Sequence, residues 1–127
     1  MSEVVLDASA LLALLNQEPG AERIAAYLPG VAMSTVNLAE VVAKLAEVGM
    51  SELEIRRAIN GLHIRLVPFD DEQAFQCGLM RPRFRHLGLS LGDRACLALA
   101  NLLGAKALTT DSAWKNLRGG PRVEVVR

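Results

Sequence analysis

The sequence contains few of the residues that carry thiol or imidazole chemistry. Two cysteines and two histidines occur among its 127 residues. Cys77 and Cys96 fall in mostly apolar, helix-like stretches, which favours buried thiols over a disulfide framework. His63 and His86 lie far apart and lack the short spacing of paired histidine ligands. A metal site built from cysteine or histidine is therefore not the first hypothesis for this chain.

The chain also lacks net charge and the common nucleotide-binding motifs. Fourteen basic side chains balance fourteen acidic ones, so the overall charge does not indicate a nucleic-acid partner. The halves differ, because residues 1–64 hold four basic and eight acidic side chains, whereas residues 65–127 hold ten and six. No Gly-x-x-x-x-Gly-Lys loop, Gly-x-Gly-x-x-Gly fingerprint or His-Glu-x-x-His pair occurs, which argues against the enzymes that those motifs identify.

Long hydrophobic runs are missing as well. The chain begins Met1-Ser2-Glu3, without the basic segment and apolar stretch of a secretory signal. No stretch is long and apolar enough to cross a membrane. We therefore expect a cytoplasmic protein.

Hydrophobic residues make up 51% of the sequence, enough for a substantial core in a single domain over residues 1–127. Short β-branched runs alternate with helical patterns along the chain. This alternation predicts an α/β three-layer sandwich with a central, mainly parallel sheet. The predicted strands are 4–6, 31–33, 64–69, 106–109 and 123–126, and the predicted helices are 8–15, 21–28, 35–48, 51–60, 71–80 and 91–103.

Four acidic residues occupy informative positions in this pattern. Asp7 and Asp111 each follow a predicted strand, Glu40 lies in the helix that follows the second strand, and Asp93 interrupts an otherwise apolar helix. Open α/β folds place their ligands at the carboxyl edge of a parallel sheet. Because carboxylates are the ligands that Mg²⁺ and Mn²⁺ prefer, the four acids predict a metal-dependent hydrolase.

Each acid also has a local explanation. Asp7 and Asp111 stand where an N-capping aspartate is favoured. Glu40 precedes Lys44 by one helical turn, so an exposed ion pair would account for it. Asp93 is the strongest candidate, because a carboxylate in an apolar helix needs either Arg94 or a cation to neutralise it.

The order of these acidic segments resembles the successive motifs of the PIN-domain ribonucleases, and most of all the VapC toxins of bacterial type II toxin-antitoxin pairs. The resemblance covers nearly the whole chain, and its specificity lies in the ordered set of motifs. The matching segments are Val5-Leu6-Asp7-Ala8-Ser9, Ser34-Thr35-Val36-Asn37-Leu38-Ala39-Glu40, Leu89-Ser90-Leu91-Gly92-Asp93-Arg94-Ala95 and Leu108-Thr109-Thr110-Asp111-Ser112-Ala113-Trp114.

The resemblance implies a sheet with the first strand at its centre and an endoribonuclease that requires Mg²⁺, for which Mn²⁺ can substitute. It assigns catalytic and metal-binding roles to Asp7, Glu40, Asp93 and Asp111. Because Mg²⁺ takes only one or two carboxylates directly, we expect Asp7 and Asp93 as the principal ligands, with Glu40 and Asp111 binding a second ion or acting through water. Ser9 and Thr109 are the nearby hydroxyls that would orient water or substrate, although each hydroxyl is equally well explained by a local cap or turn. The implied partners are RNA and a cognate VapB-type antitoxin.

A short basic run with one aromatic residue is the second feature relevant to RNA. Arg81, Arg83 and Arg85 flank Pro82 and Phe84. Beside an acidic metal site, such a segment would bind the RNA backbone and stack a base. The alternative is a solvated connection between two helices.

The helical segments 8–15, 36–48 and 53–62 carry more apolar side chains than one side of each helix can bury. We expect part of this surface to form a homodimer interface or to receive an amphipathic antitoxin helix, unless the leucines simply complete the core. Two other functions stay open: a PIN-like RNA- or protein-binding module without turnover, and a phosphatase with Asp7 as nucleophile. The phosphatase is disfavoured because Ser9 replaces the usual second aspartate.

Overall fold

The computed structural model describes residues 3–127, so the prediction that concerns Met1 and Ser2 lies outside the described residues. Within these residues, five strands are separated by segments that hold six α-helices in all, with short 3₁₀ turns at Arg85–Leu87 and Ser112–Asn116. The strands are β1 (Val4–Leu6), β2 (Val31–Ser34), β3 (Arg65–Val67), β4 (Lys106–Thr109) and β5 (Val123–Val125). The helices are α1 (Ala8–Leu15), α2 (Ala21–Ala25), α3 (Thr35–Glu47), α4 (Glu52–Asn60), α5 (Asp71–Arg83) and α6 (Leu91–Leu103).

The five strands form one sheet in the order β3-β2-β1-β4-β5, and every neighbouring pair is parallel. The predicted α/β class and the central position of β1 are therefore confirmed. Val5 in β1 is in register with Ala32 on one side and with Ala107 on the other. This register brings the carboxyl ends of β1, β2 and β4 to one edge of the sheet.

Successive side chains of the central strands alternate between two buried cores, as a sheet covered on both faces requires. Val4 and Leu6 pack with apolar residues of α1 to α4. Val5 packs on the opposite face with apolar residues of α5 and α6 and with the fully buried Trp114. The sheet is thus the middle layer of the predicted three-layer sandwich.

Three predicted elements differ from the observed ones by three residues, and several others differ by one. Helix α2 ends at Ala25 instead of residue 28. Helix α5 continues beyond Met80 to Arg83, with Pro82 inside its last turn. A proline near a helix end removes the hydrogen bond from its own nitrogen to the carbonyl four residues earlier, and the remaining bonds hold the turn. Strand β3 is limited to Arg65–Val67 because it pairs only with Ala32–Ser34 of the short strand β2.

Both cysteines are buried and unbridged, as the sequence predicts. Within residues 3–127, no helix has the length and apolar character needed to cross a membrane.

Candidate functional site

All four predicted acids line one pocket of about 250 Å³ at the carboxyl edge of the sheet. Asp7 follows β1 directly, Glu40 comes from α3, Asp93 from the first turn of α6, and Asp111 from the segment after β4. The pocket is completed by Ala8, Ser9, Leu12, Asn37 and Lys44. Residues 104 positions apart in sequence therefore meet where the parallel strands end.

Asp7 is the buried centre of the pocket. The residue is 4% exposed, and its Oδ1 accepts hydrogen bonds from the Ser9 hydroxyl at 2.7 Å and from the Ala10 amide at 2.8 Å. Its Oδ2 accepts a 2.5 Å bond from the Thr109 hydroxyl on the neighbouring strand. Asp7 is thus the N-cap of α1, and the capping explanation coexists with its place in the pocket.

Burial controls the protonation of Asp7. Desolvation raises the pKa of this carboxyl to about 6, against the lowering effect of the bonds from Thr109, Ser9 and Ala10, and the negative charge of Asp93 adds to the increase. Because desolvation and a neighbouring negative charge disfavour its ionised form, this carboxylate is stabilised by a cation placed beside it. The electrostatics of the pocket therefore favour a bound cation.

Asp93 lies at the start of α6 in a reciprocal cap. The Ser90 amide donates to Asp93 Oδ2 at 2.9 Å, while the Asp93 amide donates to the Ser90 hydroxyl oxygen at 3.1 Å. Of the two groups expected to neutralise Asp93, Arg94 or a cation, Arg94 does not pair with it among the described residues, because its guanidinium donates to the Cys77 carbonyl of α5 at 3.0 Å. Consecutive residues of a helix point about 100° apart, so Asp93 opens on the acidic pocket and Arg94 does not.

Glu40 is exposed, and its carboxylate lies against Gly92 of α6, where Asn37 of its own helix holds it. Asn37 donates from Nδ2 to Glu40 Oε1 at 2.9 Å and to the Gly92 carbonyl at 3.0 Å. A side chain at residue 92 would overlap both Glu40 carboxylate oxygens. The expected ion pair with Lys44 does not form among the described residues, although Lys44 lines the same pocket.

Asp111 is exposed and caps the 3₁₀ turn that follows it, accepting a 2.9 Å bond from the Ala113 amide. The Asp111 amide donates to the Thr109 hydroxyl oxygen at 3.1 Å, and the Thr110 amide donates to the Ser9 hydroxyl oxygen at 3.0 Å. Ser9 and Thr109 therefore connect Asp7 to the strand end that carries Asp111. In this arrangement both hydroxyls position Asp7.

Across residues 3–127, no three Asp, Glu, His or Cys side chains converge closely enough to form a ready-made metal site. Mg²⁺ does not need such a cage, because it retains several waters and takes one or two carboxylates directly. A further acceptor is available, since the buried Asn37 Oδ1 in the same pocket has no hydrogen-bond partner. The donor set consists of oxygen atoms and is compatible with a hydrated magnesium ion.

The predicted basic run divides into two parts. Arg81 and Arg85 line a second pocket, of about 240 Å³, together with Arg94. Arg83 instead bonds to the Gly119 carbonyl and lies over the Phe84 ring, with its central carbon 4.9 Å from the ring centre. Only two of the three predicted arginines therefore share a surface.

An apolar groove of about 400 Å³ runs between α3 and α4. Leu38, Val42, Ile55, Ile59 and Leu66 contribute to it, and Val42 and Leu66 are 37% and 39% exposed. The leucines of α1 behave differently, because Leu11 is fully buried and its neighbours pack against the core. Helices α3 and α4 thus expose apolar side chains as predicted, whereas the apolar side chains of α1 pack into the core.

Sequence reasoning assigned no substrate- or metal-binding role to three polar residues of these pockets: Asn37, Lys44 and Arg94. Asn37, Glu40 and Lys44 follow each other at helical spacing on one face of α3, which is a signal that the sequence does contain. Arg94 had no comparable signal, because its direction depends on how α5 and α6 pack.

The family model described as PIN domain matches residues 4–120. A toxin-antitoxin complex from Klebsiella pneumoniae aligns with a TM-score of 0.76 at 19% identity, covering 96% of each chain. DNA-bound VapBC from Salmonella typhimurium gives 0.74 at 18% identity over 98% of each chain.

Mycobacterium tuberculosis VapC20, described as a Sarcin-Ricin loop cleaving toxin, gives a TM-score of 0.73 at 20% identity, covering 89% of this chain and 93% of that one. No curated protein sequence matches the chain. At these low identities, the similarity to solved structures shows a shared fold.

Proposed function

The chain belongs to the PIN domain family, and from this premise we propose that it is a Mg²⁺-dependent endoribonuclease that acts as a toxin and is neutralised by a cognate VapB-type antitoxin. The observation that carries the proposal is the convergence of Asp7, Glu40, Asp93 and Asp111 on one pocket at the carboxyl edge of the sheet. Structural neighbours described as toxin-antitoxin complexes support it. A further neighbour, VapC20, is described as a Sarcin-Ricin loop cleaving toxin.

In the proposed site, Asp7 and Asp93 are the principal metal-binding residues, and Glu40 and Asp111 act through water or bind a second ion. When bound, Mg²⁺ would activate water and stabilise the charge that develops on the leaving oxygen of a phosphodiester. The side chains around the site hold the carboxylates in a fixed orientation. Thr109 and Ser9 fix the Asp7 carboxylate, and Asn37 fixes Glu40 against α6.

Protonation of Asp7 sets a further condition on activity. With a pKa of about 6 in the absence of metal, this carboxyl is mostly ionised at neutral pH and mostly protonated below pH 5. Because a protonated carboxyl is a poor metal ligand, binding of the ion and cleavage should both weaken in acid.

The proposed antitoxin site is the groove between α3 and α4. Its apolar walls suit the apolar side chains of an amphipathic helix. Three polar residues at its margin, Glu52, Arg56 and Asn60, would face the polar side of such a helix. A second copy of the chain is the other proposed protein partner, and its surface would include the exposed Phe75 and Leu79 of α5.

A binding module without turnover is the competing function. The absence of a converged three-ligand metal site among residues 3–127 is the observation in its favour. The phosphatase hypothesis is less compatible with the site, because both Asp7 oxygens accept hydrogen bonds that hold the carboxylate in place. Trapping a phosphoaspartate would revive it.

The proposal is tested by sequencing RNA ends after a pulse of expression. The wild-type chain should produce new, position-specific RNA ends and arrest growth, and Asp93→Asn should produce neither. Co-expression with the product of the adjacent gene should suppress both effects. New ends of equal abundance in both strains would reject the assigned site, and no new ends in either strain would favour the binding module.

A further inference from the structure

Arg94 is a buried cation without an acidic partner. It is 9% exposed, and its hydrogen bonds among residues 3–127 are those of Nη1 to Cys77. Its Nε is buried and has no partner. A guanidinium offers five N–H donors, and burying such a charge without compensation is costly. The packing of α6 therefore leaves a buried positive charge without a negative partner among the described residues.

The pocket into which Arg94 opens contains only positive charge. Arg81 and Arg85 stand at its exposed rim, and the other lining residues are Met80, Phe84, Gly88 and Leu89, none of them acidic. No salt bridge within the described chain involves any of the three arginines. The missing element of the pocket is therefore an anion.

We propose that the pocket formed by Arg94, Arg81 and Arg85 is a phosphate-binding site. Guanidinium groups bind phosphate oxygens through paired N–H donors, and a volume of about 240 Å³ accommodates one phosphate with its waters. The phosphate neutralises the buried charge of Arg94 and the two rim arginines complete its coordination. Arg83 is excluded from the site, since it is bonded to the Gly119 carbonyl on another surface.

The position of the site indicates how it would serve a nuclease, and this part rests on the proposed function. Asp93 and Arg94 are consecutive in α6 and open on the acidic and the basic pocket, respectively. An RNA backbone that crosses the start of α6 can place one phosphate at the acids and another phosphate on Arg94. Free phosphate or a phosphorylated metabolite has the same chemistry, and the experiment must separate these sources.

The first arm uses inorganic phosphate as the probe and measures the melting temperature of the full chain in chelator at constant ionic strength. At phosphate ten times above its Kd, the wild type should melt about 5 °C higher, whereas Arg94→Met should show no shift. Without phosphate, Arg94→Met should melt at or above the wild-type temperature, because an uncompensated buried charge has been removed. A shift that persists in Arg94→Met would overturn the proposal.

Arg81→Ala/Arg85→Ala provides a second variant in case Arg94→Met does not fold, because both side chains are exposed. It should fold normally and lose most of the phosphate shift. Arg57→Ala, which removes an exposed arginine outside both pockets, is the matched control and should keep the full shift. Equal shifts in the double variant and the control would also overturn the site.

The second arm measures the salt dependence of binding to a short single-stranded RNA, again in chelator. Arg94→Met should lower the log-log slope by about 0.7, the value for one lost phosphate contact on a single strand, and Arg57→Ala should leave it unchanged. A lower slope assigns the site to RNA phosphate. A phosphate-dependent melting shift with an unchanged slope assigns it to free phosphate. In that case the pocket binds phosphate but does not contact RNA, and this conclusion holds whether or not the wild type cleaves RNA in Mg²⁺.

Discussion

The Glu40 carboxylate occupies the space that a side chain at residue 92 would need. Gly92 therefore allows α3 and α6 to approach closely enough for Glu40 to reach the acidic pocket beside Asp93. Asn37 secures this approach with bonds to both Glu40 and the Gly92 carbonyl. The conformation of Gly92 is an ordinary helical one, so its role is spatial.

Gly92→Ala should displace Glu40 and reduce RNA cleavage at least tenfold. The protein should remain folded, because alanine is favoured over glycine in a helix by about 1 kcal/mol and the displaced group is the far end of a flexible side chain. Cleavage rates with saturating Mg²⁺ would test this. In a Glu40→Ala background, Gly92→Ala should have little further effect on the rate. A full additional loss there would show that Gly92 acts through something other than Glu40.

Thr109→Val should raise the pKa of Asp7 further, because the bond from the Thr109 hydroxyl lowers it in the wild type. The rise of cleavage with pH should therefore move to higher pH, at a cost in stability of about 1 to 2 kcal/mol for the lost buried bond. A pH profile of the cleavage rate would measure the shift. Thr109→Ser keeps the hydroxyl and should restore the wild-type profile. A uniform rate loss without a shift would assign Thr109 a different role.

Asp7→Asn should become increasingly stable relative to the wild type as pH rises. The pKa of Asp7 is about 6 in the folded protein against a usual 3.8, so the folded state holds the proton more tightly than the unfolded state. This contribution is present at low pH and is lost as pH rises through 6. Between pH 4.5 and 7.5 in chelator, the difference in unfolding free energy between the variants should change by about 2 kcal/mol. Urea denaturation that gives parallel pH curves would contradict the burial of an ionisable Asp7.

Val42→Glu should weaken antitoxin binding by at least tenfold while leaving RNA cleavage intact. Val42 lines the apolar groove between α3 and α4 and is 37% exposed, so a charge there would be buried by a docking helix at high cost. Co-purification with the antitoxin would report binding, and cleavage without antitoxin would report folding. Phe75→Glu, on α5 outside the groove, is the control and should retain the antitoxin. Equal binding by both variants would move the antitoxin site elsewhere.

Much of the central architecture was predictable because local signals and tertiary packing agree there. The apolar run of β1 ends at Asp7, and α6 lies between the capping Ser90 and Gly104 in a left-handed conformation, so its ends match the predicted ones. The meeting of Asp7 with Thr109 follows from the parallel pairing of β1 with β4. Strand order and register therefore determine most of the geometry of the acidic pocket.

Other features depend on contacts that no local pattern encodes. Arg94 directly follows Asp93, and the sequence offers either Arg94 or a cation as the group that neutralises it, yet the packing of α5 against α6 directs the guanidinium to Cys77. Likewise, Arg83 and Arg85 appear equivalent in a basic run, but the turn after α5 sends them to different surfaces. The sequence did not predict the directions of these side chains, because they are set by how the helices pack where they meet.

The most direct test of the central claim is cleavage of RNA by the purified chain as Mg²⁺ is added back after chelation. We expect no cleavage in chelator, recovery of endonucleolytic cleavage at millimolar Mg²⁺, and a loss of at least 100-fold in Asp93→Asn, which removes one carboxylate from the pocket and leaves Asp7 in place. Arg57→Ala should cleave like the wild type. Cleavage that persists in chelator, or that Asp93→Asn retains in full, would contradict a metal-dependent nuclease site at these four acids.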